Sequence, residues 1–279
     1  MGVASPGLPV GSASGAGVGS GGWRRALSGK LIGYGVKFGA LAAGLLVMGG
    51  LVFYVFWPTL AGLKARRDKA ACMGNLIQIA NALNNYANIH GSYPPAVVYD
   101  AAGKPMHSWR VLILRELGEP TLYARYNFDE PWDSTNNAML LGQGCPDVYI
   151  SPGIPGGTRG VSETNYFLIT GPGTLFPSNG PLGPNLISDP PGSTLLVVES
   201  DTRLVEWTKP VDIDITKLNP RIGATGPDTI GGTHVGGATA VFADGGPGWL
   251  PDDLPAAVLQ AIISPSGNEP VNPAQFQLR

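Results

Sequence analysis

The chain has 279 residues, of which only 14% are charged, and it is rich in glycine (41) and proline (26). Its first 63 residues hold four basic and no acidic side chains, which leaves 14 basic against 20 acidic residues after Leu63, a net charge of −6. So acidic a body argues against nucleic acid as a partner, since phosphate neutralisation needs clustered Lys and Arg. The Gly and Pro content points to a loop-rich domain containing β-structure.

Residues 1–30 begin as a Gly/Ser-rich segment without charge and are expected to be disordered. A transmembrane helix is expected over residues 31–63. Its core, Phe38–Leu63, has 26 residues and no charge. As a helix it would be roughly 39 Å long, against a hydrocarbon thickness of about 30 Å. Phe53, Tyr54, Phe56 and Trp57 gather near its end, where aromatic rings favour the interface. Lys64, Arg66, Arg67 and Lys69 follow at once, and a buried helix of a soluble protein is the alternative reading. Four basic residues (Arg24, Arg25, Lys30, Lys37) precede the span and four follow, so charge alone leaves orientation tied. A short N-terminus inside and a folded domain outside is the expected arrangement: a single-pass protein of the inner membrane with a periplasmic C-terminal domain. Arg24-Arg25 matches a twin-arginine signal poorly, and the apolar stretch is too long for a cleavable signal peptide.

Beyond Lys64, Leu76, Ile79, Ala80, Leu83, Tyr86 and Ala87 recur at helical spacing, with Asn75, Gln78, Asn81, Asn84 and Asn85 on the other face. One helix from about Phe38 to about Ile89 is predicted, ended by Gly91 and followed by the extended Ser92-Tyr93-Pro94-Pro95. Trp109–Leu114 opens a helix, 194–198 and 238–242 read as strands, and 177–191 reads as surface loop. Ala256–Ile263 reads as a terminal helix, and 265–279 as a flexible tail. The expected fold class is α+β, with a long N-terminal helix packed on an antiparallel sheet.

Several ordered blocks carry a resemblance. They are CMGNLIQIANALNNYANIHGSYPPA from Cys72, HSWRVLIL (His107–Leu114), LYARYNFDEPWDS (Leu122–Ser134), Cys145-Pro146, TNYFLITGPGT (Thr164–Thr174) and STLLVVES with EWTKPVD (Ser193–Asp212). The last is GGTHVGGATAVFADG, where His234 precedes Asp244-Gly245 by nine residues. Residues 64–264 thereby resemble the bacterial domain-of-unknown-function family 1559 (DUF1559), with its prepilin-like N-terminus and H-x(9)-D-G motif. The resemblance implies a type IV pilin-like fold, export and membrane association, and no assigned activity. Family members with a prepilin leader carry Gly-Phe-Thr-Leu and a glutamate early in the mature helix. The span here has no acidic residue. A permanently anchored, pseudopilin-like protein is therefore expected over a polymerising pilin.

Each candidate site has a plain structural alternative. Cys72 and Cys145 are too few for a four-ligand zinc site, and no metal site is expected. In an extracytoplasmic domain they permit a disulfide closing 74 residues, with two free thiols as the alternative. His234 and Asp244 would lie at opposite ends of one strand, and Asp244-Gly245 is ordinary turn chemistry. His107 precedes a helix, and His90 has no partner pattern. Tyr126, Asp129, Glu130, Trp132 and Asp133, with Tyr123 and Phe128, form the best candidate binding surface, for sugars, cations or peptides, unless they are a packed corner. Gly171-Pro172-Gly173 lacks the Lys-Ser/Thr of a phosphate loop, and no serine has a nucleophile context.

No cofactor and no enzymatic activity are expected. The leading expectation is a membrane-anchored, pseudopilin-like structural or assembly protein, with the membrane and secretion or pilus-like components as partners. The alternative is an extracytoplasmic protein binding a solute or polysaccharide. An enzyme centred on His234 and Asp244 is a third class and would need those side chains to converge.

Overall fold

A computed structural model describes residues 2, 21–154, 162–201 and 205–277; within the first helix, side chains are described at Gly39 and from Leu41 onward. Most of the expected disordered segment, residues 3–20, lies outside the described residues. The chain divides into two compact units, Met1–Ala61 and Gly62–Arg279.

Helix α1 runs from Gly21 to His90 as one element. It begins earlier than Phe38 because no residue between Gly21 and Phe38 is a proline. Pro58 lies inside it, and Gly91, at φ 82°, ends it with its N–H on the Ala87 carbonyl. Leu41, Leu46, Phe53, Trp57 and Leu63 are exposed. The described part of this helix is long and apolar enough to cross a membrane.

In the Gly62–Arg279 unit the later turns of α1 turn inward, with Leu76, Ile79, Ala80 and Leu83 fully buried. They pack on a four-stranded antiparallel sheet of order β10-β9-β6-β4, where β4 is Tyr166–Phe167, β6 Leu195–Glu199, β9 Gly237–Phe242 and β10 Pro247–Pro251. Strand periodicity divides the core. Leu196, Val197 and Val241 face the cluster built on α1, while Val198, Ala240 and Phe242 face a second cluster with Leu259 and Ile262 of a terminal helix, Ala256–Ile263. A register shift between Leu195 and Val197 is what lets consecutive residues of β6 face one side.

Around this sheet lie short elements: β1 (Val97–Tyr99) and β2 (Pro105–Ser108), α2 (Trp109–Leu112), α3 (Pro120–Arg125) and α4 (Thr135–Leu141). The two-residue strands β3 (Glu163–Thr164) and β7 (Val205–Glu206) pair with each other, as do β5 (Ile169–Thr170) and β8 (Ile213–Asp214). The terminal helix Ala256–Ile263 is α5.

Two expectations are corrected. The helix expected over 109–114 is a single turn, Trp109–Leu112, whose first N–H groups are capped by Ser108. The tail expected to be flexible is docked. Phe276 is buried against Phe242 at 5.2 Å, its carbonyl accepts from Trp249 N, and Asp189 accepts the Gly267 and Asn268 N–H groups. Burying one aromatic ring is worth about 1.5–3 kcal/mol, and it adds to these hydrogen bonds in docking the segment.

Candidate functional site

The chemistry-bearing side chains that the fold brings together are Cys72, Glu199 and His234. Cys72 sits on the inward face of α1, four residues before Leu76. Glu199 ends β6, and its backbone is tied to the Gly231-Gly232 segment through Gly231 N to Glu199 O at 3.1 Å. A Cβ on Gly232 would collide with Glu199 Oε2, so only glycine lets the two chains close there. This brings His234, two residues on, over the carboxylate.

His234 Nε2 lies 3.2 Å from Cys72 Sγ and 3.9 Å from Glu199 Oε2. One donor atom from each residue lies within 4.8 Å of the others. Cys72 and Glu199 are fully buried, and the His234 side chain is 6% exposed. Glu199 Oε1 accepts from Ser151 Oγ at 2.8 Å, and Oε2 accepts from Thr239 Oγ1. Ser151 Oγ also lies 3.1 Å from Cys72 Sγ, and its backbone is set by Asn165 Oδ1. Burial, and then the Glu199 charge, pushes the Cys72 thiol up to about 11. Tyr166 is buried beside Cys72 and Glu199, and its hydroxyl bears on the Cys72 sulfur.

The expected Cys72–Cys145 disulfide is not formed; both thiols are free and buried. Cys72 is held by Ser151 and His234, while Cys145 belongs to the core around Tyr149 and Arg110, whose charge bears on it.

His234 and Asp244 do not converge. They flank β9, whose length is roughly 17 Å at 3.3 Å per residue. Each end of the strand meets a different turn of α1. His234 meets Cys72, whereas Asn84 Nδ2 donates to Ala243 O at 3.0 Å and Gly245 sits beside Asn81. Twelve helical residues, Cys72 to Asn84, rise about 18 Å, which matches the strand. Asp244 itself closes the turn, accepting from Gly246 N at 2.8 Å, and Gly245 supplies the required φ of 83°.

The five expected binding residues do not surround one pocket. Tyr126 is buried, with its hydroxyl 3.0 Å from His107 Nδ1. Glu130 accepts from Asn136 at 2.8 Å, Trp132 lies under Lys209 at 5.4 Å, and Asp129 and Asp133 are exposed. The turn is organised by Asn137, fully buried, whose amide donates to the carbonyls of Asn127, Glu130 and Pro131. A separate cleft of about 390 Å³ is lined by Tyr99, Thr170, Phe176, Asp212 and Asp214, and by none of those five. Asp212 Oδ1 takes N–H bonds from Trp109, Arg110 and Leu168, while Oδ2 is buried without a partner among the described residues. Burial raises the Asp212 carboxyl against the lowering pull of Arg110.

Residues 64–180 match the family model SBP_bac_10, described as "Protein of unknown function (DUF1559)". The match includes Cys72 and ends before Glu199 and His234. No curated protein and no solved structure matches the chain.

Proposed function

We propose, from the match of residues 64–180 to the DUF1559 family model and from the long apolar helix, that this chain is a membrane-anchored, pseudopilin-like structural or assembly protein with its Gly62–Arg279 unit outside the cytoplasm. The observation that carries this reading is α1. One helix is uncharged and exposed from Leu41 to Leu63, then forms the buried spine of the sheet unit from Cys72 to Ala87. A soluble protein gains nothing from so long a run of exposed apolar residues, whereas a bilayer accepts them at favourable transfer free energy. The absence of an acidic residue in the span supports an anchor over a polymerising subunit.

Fractionation tests the anchor. The full chain should stay with the inner membrane after alkaline washing, and protease added to spheroplasts should digest the Gly62–Arg279 unit. Release by the wash would overturn the anchor, and protection of that unit would overturn the orientation. A photo-crosslinking side chain placed at Leu45 and irradiated in membranes tests assembly: crosslinks to a neighbouring pilin-like component are expected, and uncrosslinked monomer alone would contradict an assembly role.

A second reading, an extracytoplasmic solute- or polysaccharide-binding protein, is supported by the 390 Å³ cleft and the unpaired Asp212 oxygen in its lining. Ligand sites have this size and a few convergent polar groups. A rise in melting temperature with one member of a glycan panel, lost in Asp214→Ala, would favour it.

A further inference from the structure

We propose that Cys72 Sγ, His234 Nε2 and the Glu199 carboxylate form a three-ligand site for a divalent, borderline-soft cation of the zinc type, with Tyr166 beside an open fourth position. Thiolate, imidazole and carboxylate are the ligand types such an ion takes. Bonds of 2.0–2.3 Å in a tetrahedral arrangement require donors about 3.3–3.8 Å apart. The observed Cys72–His234 and His234–Glu199 separations are 3.2 and 3.9 Å. Closing a donor set already within 4.8 Å needs side-chain adjustment alone.

Three further observations point to an ion. First, Glu199 is fully buried, and among the described residues no Lys or Arg ion pair compensates its carboxylate. A buried carboxylate without full compensation is costly. A doubly charged cation with one thiolate and one carboxylate brings the site to neutrality. Second, the ligands have the outer support that metal sites show: Ser151 and Thr239 fix the carboxylate, and Ser151 also touches the sulfur. Third, the buried Tyr166 side chain faces Cys72 and Glu199, beside the position that a fourth ligand would take.

The same residue types could instead form a cysteine nucleophile with its base. That arrangement needs the carboxylate on the imidazole nitrogen opposite the thiol. Here thiol and carboxylate both address Nε2, which is the geometry of a shared ion. Binding would release the Cys72 proton to solvent, so affinity should rise with pH.

The test uses tag-free, full-length protein in detergent, stripped with a chelator under reducing conditions and titrated with Co²⁺. The expected result is a thiolate-to-cobalt charge-transfer band saturating at one ion per chain and abolished by added Zn²⁺. Cys72→Ser and His234→Ala should lose the band, and Cys145→Ser should keep it. Thr239→Val, which touches only the carboxylate, should weaken cobalt binding roughly 10–100-fold. If the ligand variants do not fold, the wild type still decides: Zn²⁺ should protect Cys72 from alkylation, mapped by peptide mass. Absence of the band in folded wild-type protein, or its survival in folded Cys72→Ser, would overturn the site. The outcome is independent of membrane anchoring, which the fractionation reads separately.

Discussion

Arg110 is the most consequential single residue outside the cysteine cluster. It is fully buried, stacked near Trp109 and Phe167, and donates to Ser108 Oγ, Tyr166 O and Asp212 Oδ1 at 2.9 Å. Removing one member of a buried ion pair strands the other, a loss of about 3–5 kcal/mol. Arg110→Met should therefore lower stability by that much in urea titrations, and Arg110→Met with Asp212→Asn, which removes the charge but keeps an acceptor for Trp109 and Leu168, should recover most of it. A loss in the double variant equal to that of Arg110→Met alone would show that the guanidinium bonds, not the charge balance, matter. His107 gives a pH prediction. Its Nε2 sits 3.0 Å from the Phe128 carbonyl, which can only accept, so Nε2 carries the proton and Nδ1 accepts from Tyr126. Burial lowers its folded pKa below the ordinary imidazole value of about 6.5. The unfolded chain then binds the proton more readily, so this contribution to stability is complete above about pH 6.5 and is lost as pH falls toward the lower folded pKa. Melting curves from pH 7.5 to 5 should show that loss in wild type and a smaller one in His107→Gln.

At the scale of elements, the two ends of α1 should respond oppositely to the same change. Leu83 is fully buried in the sheet unit, and Leu83→Ala should cost about 2–5 kcal/mol. Leu46 is 77% exposed, and Leu46→Ala should leave the urea midpoint unchanged. This division was legible in the sequence, because the 3.6-residue spacing of Leu76, Ile79 and Leu83 names a buried face directly. The strands 194–198 and 238–242 were equally legible, within one residue of the observed Leu195–Glu199 and Gly237–Phe242. What failed was long-range. Cys72 and His234 stand 162 residues apart, and no periodicity links them; the pairing of Cys72 with Cys145 rested on parity alone. The packing of the Tyr126–Asp133 turn was not legible either, because Asn137, outside that run, satisfies its carbonyls from within. Phe276 gave no signal beyond one aromatic residue in a polar tail.

At the scale of the whole molecule, both apolar clusters begin after the span: the first at Leu76, the second at Phe167. Among the described residues, both cores draw their side chains from the Gly62–Arg279 unit. The expected consequence is a sheet unit whose folding free energy is independent of the apolar segment. A chain starting at Gly62 should be soluble, monomeric without detergent, and unfold in one cooperative step. Its unfolding free energy from urea titration should match that of the full chain in detergent to within about 0.5 kcal/mol, the usual bound for uncoupled changes. A large drop would mean that the helix before Gly62 stabilises the sheet unit across Pro58, so that anchor and body form one cooperative structure. Equal free energies would mean that the anchor serves placement alone, and that any cation held by Cys72, Glu199 and His234 stabilises the soluble piece as much as the intact protein.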